Sequence, residues 1–448
     1  MGAGSPRSAV NDIARPPAPR VTLVAGGRLP LAFIVLGLVA FGLGTAALAA
    51  NPGLLFLPQV HPHVLALVHL WLPGFLLSIS IGALYQLMPV VLGTPLRLSA
   101  RGAWVHFGLH GSGVALLVGG FTTGRFAVVA IGGVLVSAGA LLLLKATWRT
   151  FLSSSRRDAI AWCFPLAVTW LAATTLSGVV FALNRRAPFM PVSVLALLRA
   201  HAHVGLAGFF VTLLQGATFQ LIPMFTLADL RRPRWVSTGL RLGQLGLILL
   251  TVGHAFDFRP LTLGGAVVLT LGLGASGVAL FATLHGRRRR GLEPGLKAFA
   301  GGAALAGIAA AVGVILVFTR DTPWPALTNL YGMLVMGGAL TGMLLGMVCK
   351  IVPFLVWMRV YGPRAGRQPV PLAPALGSRL LENIWLWAHA TALASISVAL
   401  WLTWHPLLSA GVVLFAVGAA ALLGSVGRTL RHLWLPFPSS VPVAAPVA

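Results

Sequence analysis

The sequence has little charge, and very little of it is negative. Only 9% of its 448 residues are Asp, Glu, Lys or Arg, and seven of those are acidic. A soluble domain carries about 25% charged residues. That deficit, set beside 57% hydrophobic residues, excludes a water-soluble globular chain. With so few carboxylates, proton pumping through a carboxylate relay in the bilayer is unsupported. Cysteine is nearly missing. Cys163 and Cys349 both fall inside apolar stretches, so neither a disulfide framework nor a zinc cluster is suggested. No CxxCH run is present, which excludes a covalently attached c-type haem. No polar linker is long enough to set off a soluble domain.

What fills the chain is a series of apolar runs of about 20 residues, each long enough to cross a hydrocarbon core. Twelve spans fit: 30–50, 64–92, 103–121, 127–146, 159–183, 198–226, 236–256, 262–284, 298–318, 327–357, 383–403 and 407–425. The expected fold is an all-α membrane protein of twelve transmembrane helices over residues 29–426. A polar, Pro-rich tail (1–28) precedes it and a second Pro-rich tail (427–448) follows. The N-terminal tail reads as disordered. The first apolar run lacks the cleavage pattern of a signal peptide and reads as an anchor.

The net charge of +25 suggests nucleic acid only until the positions of the charges are considered. With the N-terminus inside, the outward loops hold six of the 32 Lys and Arg: Arg125, Arg185, Arg186, Arg199, Arg259 and Arg320. The runs RRPR (231–234) and RRRR (287–290) fall on the inner side. This is the asymmetry that sets membrane topology. It predicts cytoplasmic termini, a lipid bilayer as the partner and no nucleic acid.

Three stretches repeat. Residues 69–89 read HLWLPGFLLSISIGALYQLMP, 203–223 read HVGLAGFFVTLLQGATFQLIP, and 333–353 read MLVMGGALTGMLLGMVCKIVP. Gly recurs at the sixth place (Gly74, Gly208, Gly338) and at the fourteenth (Gly82, Gly216, Gly346), and each stretch ends in Pro. Gln86 and Gln220 share a place that is Lys350 in the third copy. The offsets are 134 and 130 residues, so each unit holds four helices and the chain divides into three pseudo-symmetric four-helix units. Glycine allows close helix approach in a membrane, and proline ends or kinks helices. Neither accounts for the first place, which is His69, His203 and Met333. Two residues earlier stand Leu67, His201 and Tyr331.

Twelve helices, a threefold repeat and histidines on helices 2, 6 and 7 resemble the haem-copper oxidase superfamily, subunit I. The likeness covers residues 30 to 425. It implies a low-spin haem ligand on helix 2, metal ligands on helices 6 and 7, and haem ligands on helix 10. Within the superfamily the chain is most similar to divergent, single-chain bacterial members, cytochrome c oxidase subunit I or the nitric oxide reductase large subunit.

Six histidines, His61, His63, His69, His201, His203 and His254, fall near the outward ends of helices 2, 6 and 7. An ionisable group within a membrane segment is a candidate functional group, and imidazole suits iron, copper and zinc. His201 and His203 are separated by roughly 200° around a helix, so they cannot both face one metal. His203, whose place is also His in the first repeat, is the favoured ligand. The resemblance pairs it with His254 for copper or iron, with His201 or Asp257 completing three ligands. His69 is the expected ligand of a b-type haem. Helix 10 has no histidine, so the other axial ligand is sought in Met333 or in His203 across helices 2 and 6, and Tyr331 stands where a high-spin haem ligand would be sought. The resemblance implies an oxidoreductase that reduces oxygen or nitric oxide with electrons from a respiratory donor, with a donor protein or small subunit as partner, in a bacterial plasma membrane. The alternative is a non-catalytic haem- or metal-binding sensor or assembly component. Inside helix 10, Lys350 is read as snorkelling.

Overall fold

In a computed structural model, residues 27–190, 193–289, 291–319 and 325–437 are described. Residues 1–26 of the expected N-terminal tail and the second half of the C-terminal one, 438–448, lie outside the described residues. The described residues are helical with short connections: α1 (Arg28–Ala50), α2 (Pro62–Leu92), α3 (Ala100–Thr122), α4 (Phe126–Ser153), α5 (Ala159–Arg186), α6 (Val194–Thr226), α7 (Pro233–Ala255), α8 (Arg259–His285), α9 (Pro294–Phe318), α10 (Pro325–Val360), α11 (Arg379–Leu402) and α12 (His405–Arg431). Eleven are long and apolar enough to cross a membrane. The remaining one, α3, has 23 residues but is diluted by Arg101, His106 and His110.

Most helices begin before the apolar stretches, and several run past their ends. α12 continues to Arg431 because Arg428 and Arg431 occupy its last turn, where positive charge complements the helix dipole. Polar side chains cap several starts: Ser99 accepts from the amide of Gly102 at 3.1 Å and Asp158 from that of Ala161 at 2.9 Å.

Successive helices pack as antiparallel neighbours. The units meet where α4 packs on α5 and α8 on α9, and the circle closes where α1 packs on α12. α10 is the most enclosed helix and α9 the least. α2 and α10 are joined by the Trp71 indole, which donates to the Thr341 hydroxyl at 3.1 Å.

The repeated helices are not regular. Each carries an eight-residue π-helical segment: Leu70–Leu77 in α2, Val204–Val211 in α6 and Met333–Leu340 in α10. Such widened turns are rare and are usually single bulges. The first two begin directly after His69 and His203, and the third begins at Met333. Pro73 lies within the first segment and has no amide hydrogen to donate, but the other two contain no proline. What all three share is a hydroxyl at the exit. Ser78, Thr212 and Thr341 each donate to the carbonyl five residues back, Pro73 at 3.4 Å, Ala207 at 3.3 Å and Met336 at 2.7 Å.

At the repeat place of Gln86, Gln220 and Lys350, the second and third copies are tied to the chain that enters their units. Arg156 donates to Gln220 at 3.1 Å and pairs with Asp158 at 2.7 Å. Lys350 does not snorkel. It pairs with Glu293, which precedes α9 and also holds Arg289 at 2.7 Å. With side chains only 10% and 13% exposed, the Lys350–Glu293 pair is held where each charge compensates the other.

Candidate functional site

α2, α5, α6, α8, α9 and α10 enclose a cavity of about 1710 Å³ that the end of α7 also reaches, and His69, His201, His203, His254, Tyr331 and Met333 all line it. Its wall is mainly apolar, as expected of a site that holds a largely hydrophobic group. The helices deliver these side chains in a way that sequence spacing only partly anticipates.

His203 stands at the end of the regular α-helical part of α6, where the π segment begins. Its Nδ1 lies 2.8 Å from the Arg199 carbonyl. A carbonyl can only accept, so the proton is on Nδ1 and Nε2 carries a lone pair. The phenol of Tyr331 donates to that Nε2 at 3.3 Å. His254 stacks on the same ring with centroids 5.2 Å apart and planes at 27°, and Tyr331 lies near-parallel at 6.3 Å and 26°. His254 reaches this position because α7 and α8 touch backbone to backbone. A Cβ on Gly253 would collide with the Thr262 backbone and hydroxyl. The turn between them, with Asp257 at φ 54°, sets His254 at the tip of the hairpin.

His201, two residues away, turns to α5 instead. Its Nδ1 is 2.9 Å from the Ser177 hydroxyl, which itself donates to the Thr174 carbonyl at 2.9 Å. The hydroxyl has one proton to give, so it accepts from His201, and Nε2 again carries the lone pair. Gly178 makes room, since a Cβ there would stand 3.2 Å from the His201 ring. His69 repeats the arrangement on α2: Nδ1 donates to the Leu65 carbonyl at 2.7 Å, and the ring lies 4.5 Å from that of Phe121. His69 and His201 are close enough to interact electrostatically.

Three cavity histidines are thus fixed in one tautomer by partners on Nδ1. That is how metal-ligating imidazoles are usually oriented, with the remote nitrogen bonded to a carbonyl or carboxylate. The observed tautomers fit a haem or a copper or iron ion. Among the described residues no three of His, Cys, Asp and Glu come together as a metal set. The expected three-ligand set of His203, His254 and either His201 or Asp257 is therefore not assembled, because helix periodicity sends His201 to the α5 wall. The group added to the pair is the phenol of Tyr331. Met333 folds its thioether over Gly337 of its own helix and packs with Ile396, Leu400 and Leu408.

Sequence reasoning missed the place of Tyr331 beside His203, because it weighed Tyr331 as a haem ligand. The signal was available: Tyr331 holds the repeat place of His201. The pair on α3 also finds its partners here. His106 bonds the Tyr85 phenol and His110 the Ser78 hydroxyl, both at 2.8 Å. These two are buried in unit 1 and do not line the cavity.

A solved heme-copper terminal oxidase, described as a dimer, superposes on this chain with a TM-score of 0.68, covering 94% of this chain and 84% of that one at 12% identity. The chain has the haem-copper oxidase fold. At so low an identity the likeness speaks for the fold, with its twelve helices and three arcs. No protein-family model matches the sequence, and no curated protein matches it.

Proposed function

We propose that this protein is a divergent haem-copper oxidase subunit I-like membrane protein that binds a b-type haem and a copper or iron ion in the outer half of the bilayer. The observation that carries the reading is the joining of His203, His254 and Tyr331 on one wall of a cavity that also presents His69 and His201. Nitrogen and phenol donors suit copper or iron. A cavity of about 1710 Å³ exceeds the roughly 300–1,000 Å³ of ordinary ligand sites and has room for a macrocycle beside the metal.

His69 holds the haem on the α2 side, and His203, His254 and Tyr331 hold the metal. The bound groups supply the redox chemistry. The protein's own part is to fix the imidazole tautomers, exclude water with the apolar wall and keep a phenol proton on His203 Nε2 when no metal is bound. The reaction served is reduction of oxygen or nitric oxide by a respiratory donor, with a donor protein or small subunit docking from outside. The setting is a bacterial plasma membrane with both termini cytoplasmic.

A second reading has its own support. The metal pair lacks a third His, Cys, Asp or Glu among the described residues, which favours binding without turnover, as in a sensor or an assembly component. Reduced-minus-oxidised visible spectra and metal analysis of the purified protein test the proposal. A low-spin haem band with one copper or iron per chain is expected; neither haem nor stoichiometric metal overturns it. Oxygen and nitric oxide consumption by membranes then separates the catalytic reading from the second one.

A further inference from the structure

In units 1 and 2 the third helix sends one polar side chain to the π segment of the second. On α3, His110 bonds Ser78 at 2.8 Å, and Ser78 donates to the Pro73 carbonyl at 3.4 Å. On α7, Gln244 donates to Thr212 at 2.9 Å, and Thr212 donates to the Ala207 carbonyl at 3.3 Å. Unit 3 differs: among the described residues, Thr341 donates to the Met336 carbonyl and to no side chain of α11. Pro73 and Ala207 occupy the same place in the repeat, four residues after His69 and His203. Gln244 stands 134 residues after His110, which is the repeat offset itself.

We infer that His110 and Gln244 are two copies of one positioning group. A π turn breaks the regular i to i−4 ladder and leaves carbonyls poorly served. In a membrane interior such a carbonyl needs a partner, and in units 1 and 2 the third helix provides it through the exit hydroxyl. The widened turn directly follows the residue that opens the repeat. By holding it, the buttress sets the direction of His69 and His203 toward the cavity. Burial agrees with this role: His110 is 1% exposed, and neither His110 nor Gln244 lines the cavity. Gln244 is itself held from the far side, accepting from the Trp170 indole at 2.7 Å.

The inference makes His and Gln interchangeable at these positions and distinguishes both from Ala. For His203 and the metal pair it rests on the proposed function; for the π segments it does not. The test uses the full chain in lipid nanodiscs with the variants Gln244→Ala, Gln244→His, His110→Ala and His110→Gln. Amide hydrogen exchange reads residues 70–77 and 204–211, with 333–340 as the control. Each Ala variant should speed exchange at least tenfold in its own segment and leave the other two unchanged, and the His and Gln swaps should restore protection. Cupric ion titrated into the metal-free chain is the second readout. Gln244→Ala should weaken it about tenfold and Gln244→His should restore it, while both His110 variants leave it unchanged.

Unchanged exchange in both Ala variants overturns the inference, as does failure of the swaps to restore protection. Where an Ala variant does not fold, its swap partner decides alone: a swap that also fails to fold overturns the inference. A parent chain that binds no cupric ion defeats the proposed metal site and leaves the exchange result to decide the buttress.

Discussion

His203 and His254 stack with ring centroids 5.2 Å apart, and the Tyr331 phenol meets the same His203 ring at Nε2. Three helices from two units thereby converge on one nitrogen lone pair. For a metal to reach it, the phenol must release Nε2, and its oxygen then stands beside the pair as a third donor. His203→Ala or His254→Ala is expected to abolish stoichiometric copper or iron. Tyr331→Phe is expected to weaken binding about tenfold or more, the scale of losing a group that supports a metal ligand. Metal analysis and cupric titration of the three variants check this. Unchanged affinity in Tyr331→Phe would remove the phenol from the site.

His69 and His106 provide a contrast between two buried histidines. His69 lines the cavity with Nε2 uncommitted to its Leu65 partner, so His69→Ala is expected to remove the low-spin haem band while the chain still folds. His106 is bonded to Tyr85 in unit 1. His106→Ala is expected to leave the spectrum intact and to cost about 1–3 kcal/mol, the penalty of a buried phenol left without its partner. Spectra and thermal unfolding of both variants distinguish the roles.

Much of the fold was legible because the bilayer restricts the alternatives. Length and hydropathy gave the spans, and the Gly and Pro places of the repeat gave the units. Facts that depend on contacts between distant segments were not legible. A 3.6-residue periodicity carries no sign of a π turn, although Ser78, Thr212 and Thr341 mark each exit. Lys350 was read as snorkelling because its partner, Glu293, lies before a different helix. The assignment of His201 to a metal set with His203 conflicted with the angular argument itself, and the structure resolves that conflict by turning His201 to Ser177.

Gly253 connects helix packing to the site. A Cβ there would meet the Thr262 backbone, so Gly253→Ala must part α7 from α8 at the hairpin that carries His254. Overpacking of this kind costs about 1–3 kcal/mol. The variant is expected to lose metal affinity before it loses its fold, because His254 is next in sequence. Copper titration beside thermal unfolding measures both, and a stable variant with full affinity would contradict the argument.

The Lys350–Glu293 pair provides a test of buried charge. Removing one partner of such a pair costs about 3–5 kcal/mol because the other charge stays buried. Lys350→Met and Glu293→Gln are each expected to lower thermal stability. The double variant should lose less than the two losses added together, since no unpaired partner remains. Glu382 and Arg289 also act on Lys350, so the single losses should fall at the low end of that range. Additive losses would mean the two side chains are not coupled.

Where the chain leaves α10 and α12, the Tyr361 phenol accepts from the Phe437 amide at 2.9 Å and donates to His432 Nδ1 at 3.0 Å. The arrangement requires a neutral imidazole. Burial, with Arg431 and Arg428 alongside, holds the His432 pKa below its ordinary 6.5. The unfolded chain therefore takes up this proton first as pH falls, so the stability this contact contributes is complete above about pH 6.5 and decreases below it. Protonation also places a hydrogen on Nδ1, where the phenol now donates. Amide exchange at Phe437 is expected to quicken as pH falls from 7 to 5.5, after correction for intrinsic rates. In Tyr361→Phe the amide should be fast at both pH values, because the oxygen that holds it is gone. Slow, pH-independent exchange in the parent chain would show that His432 does not control the contact.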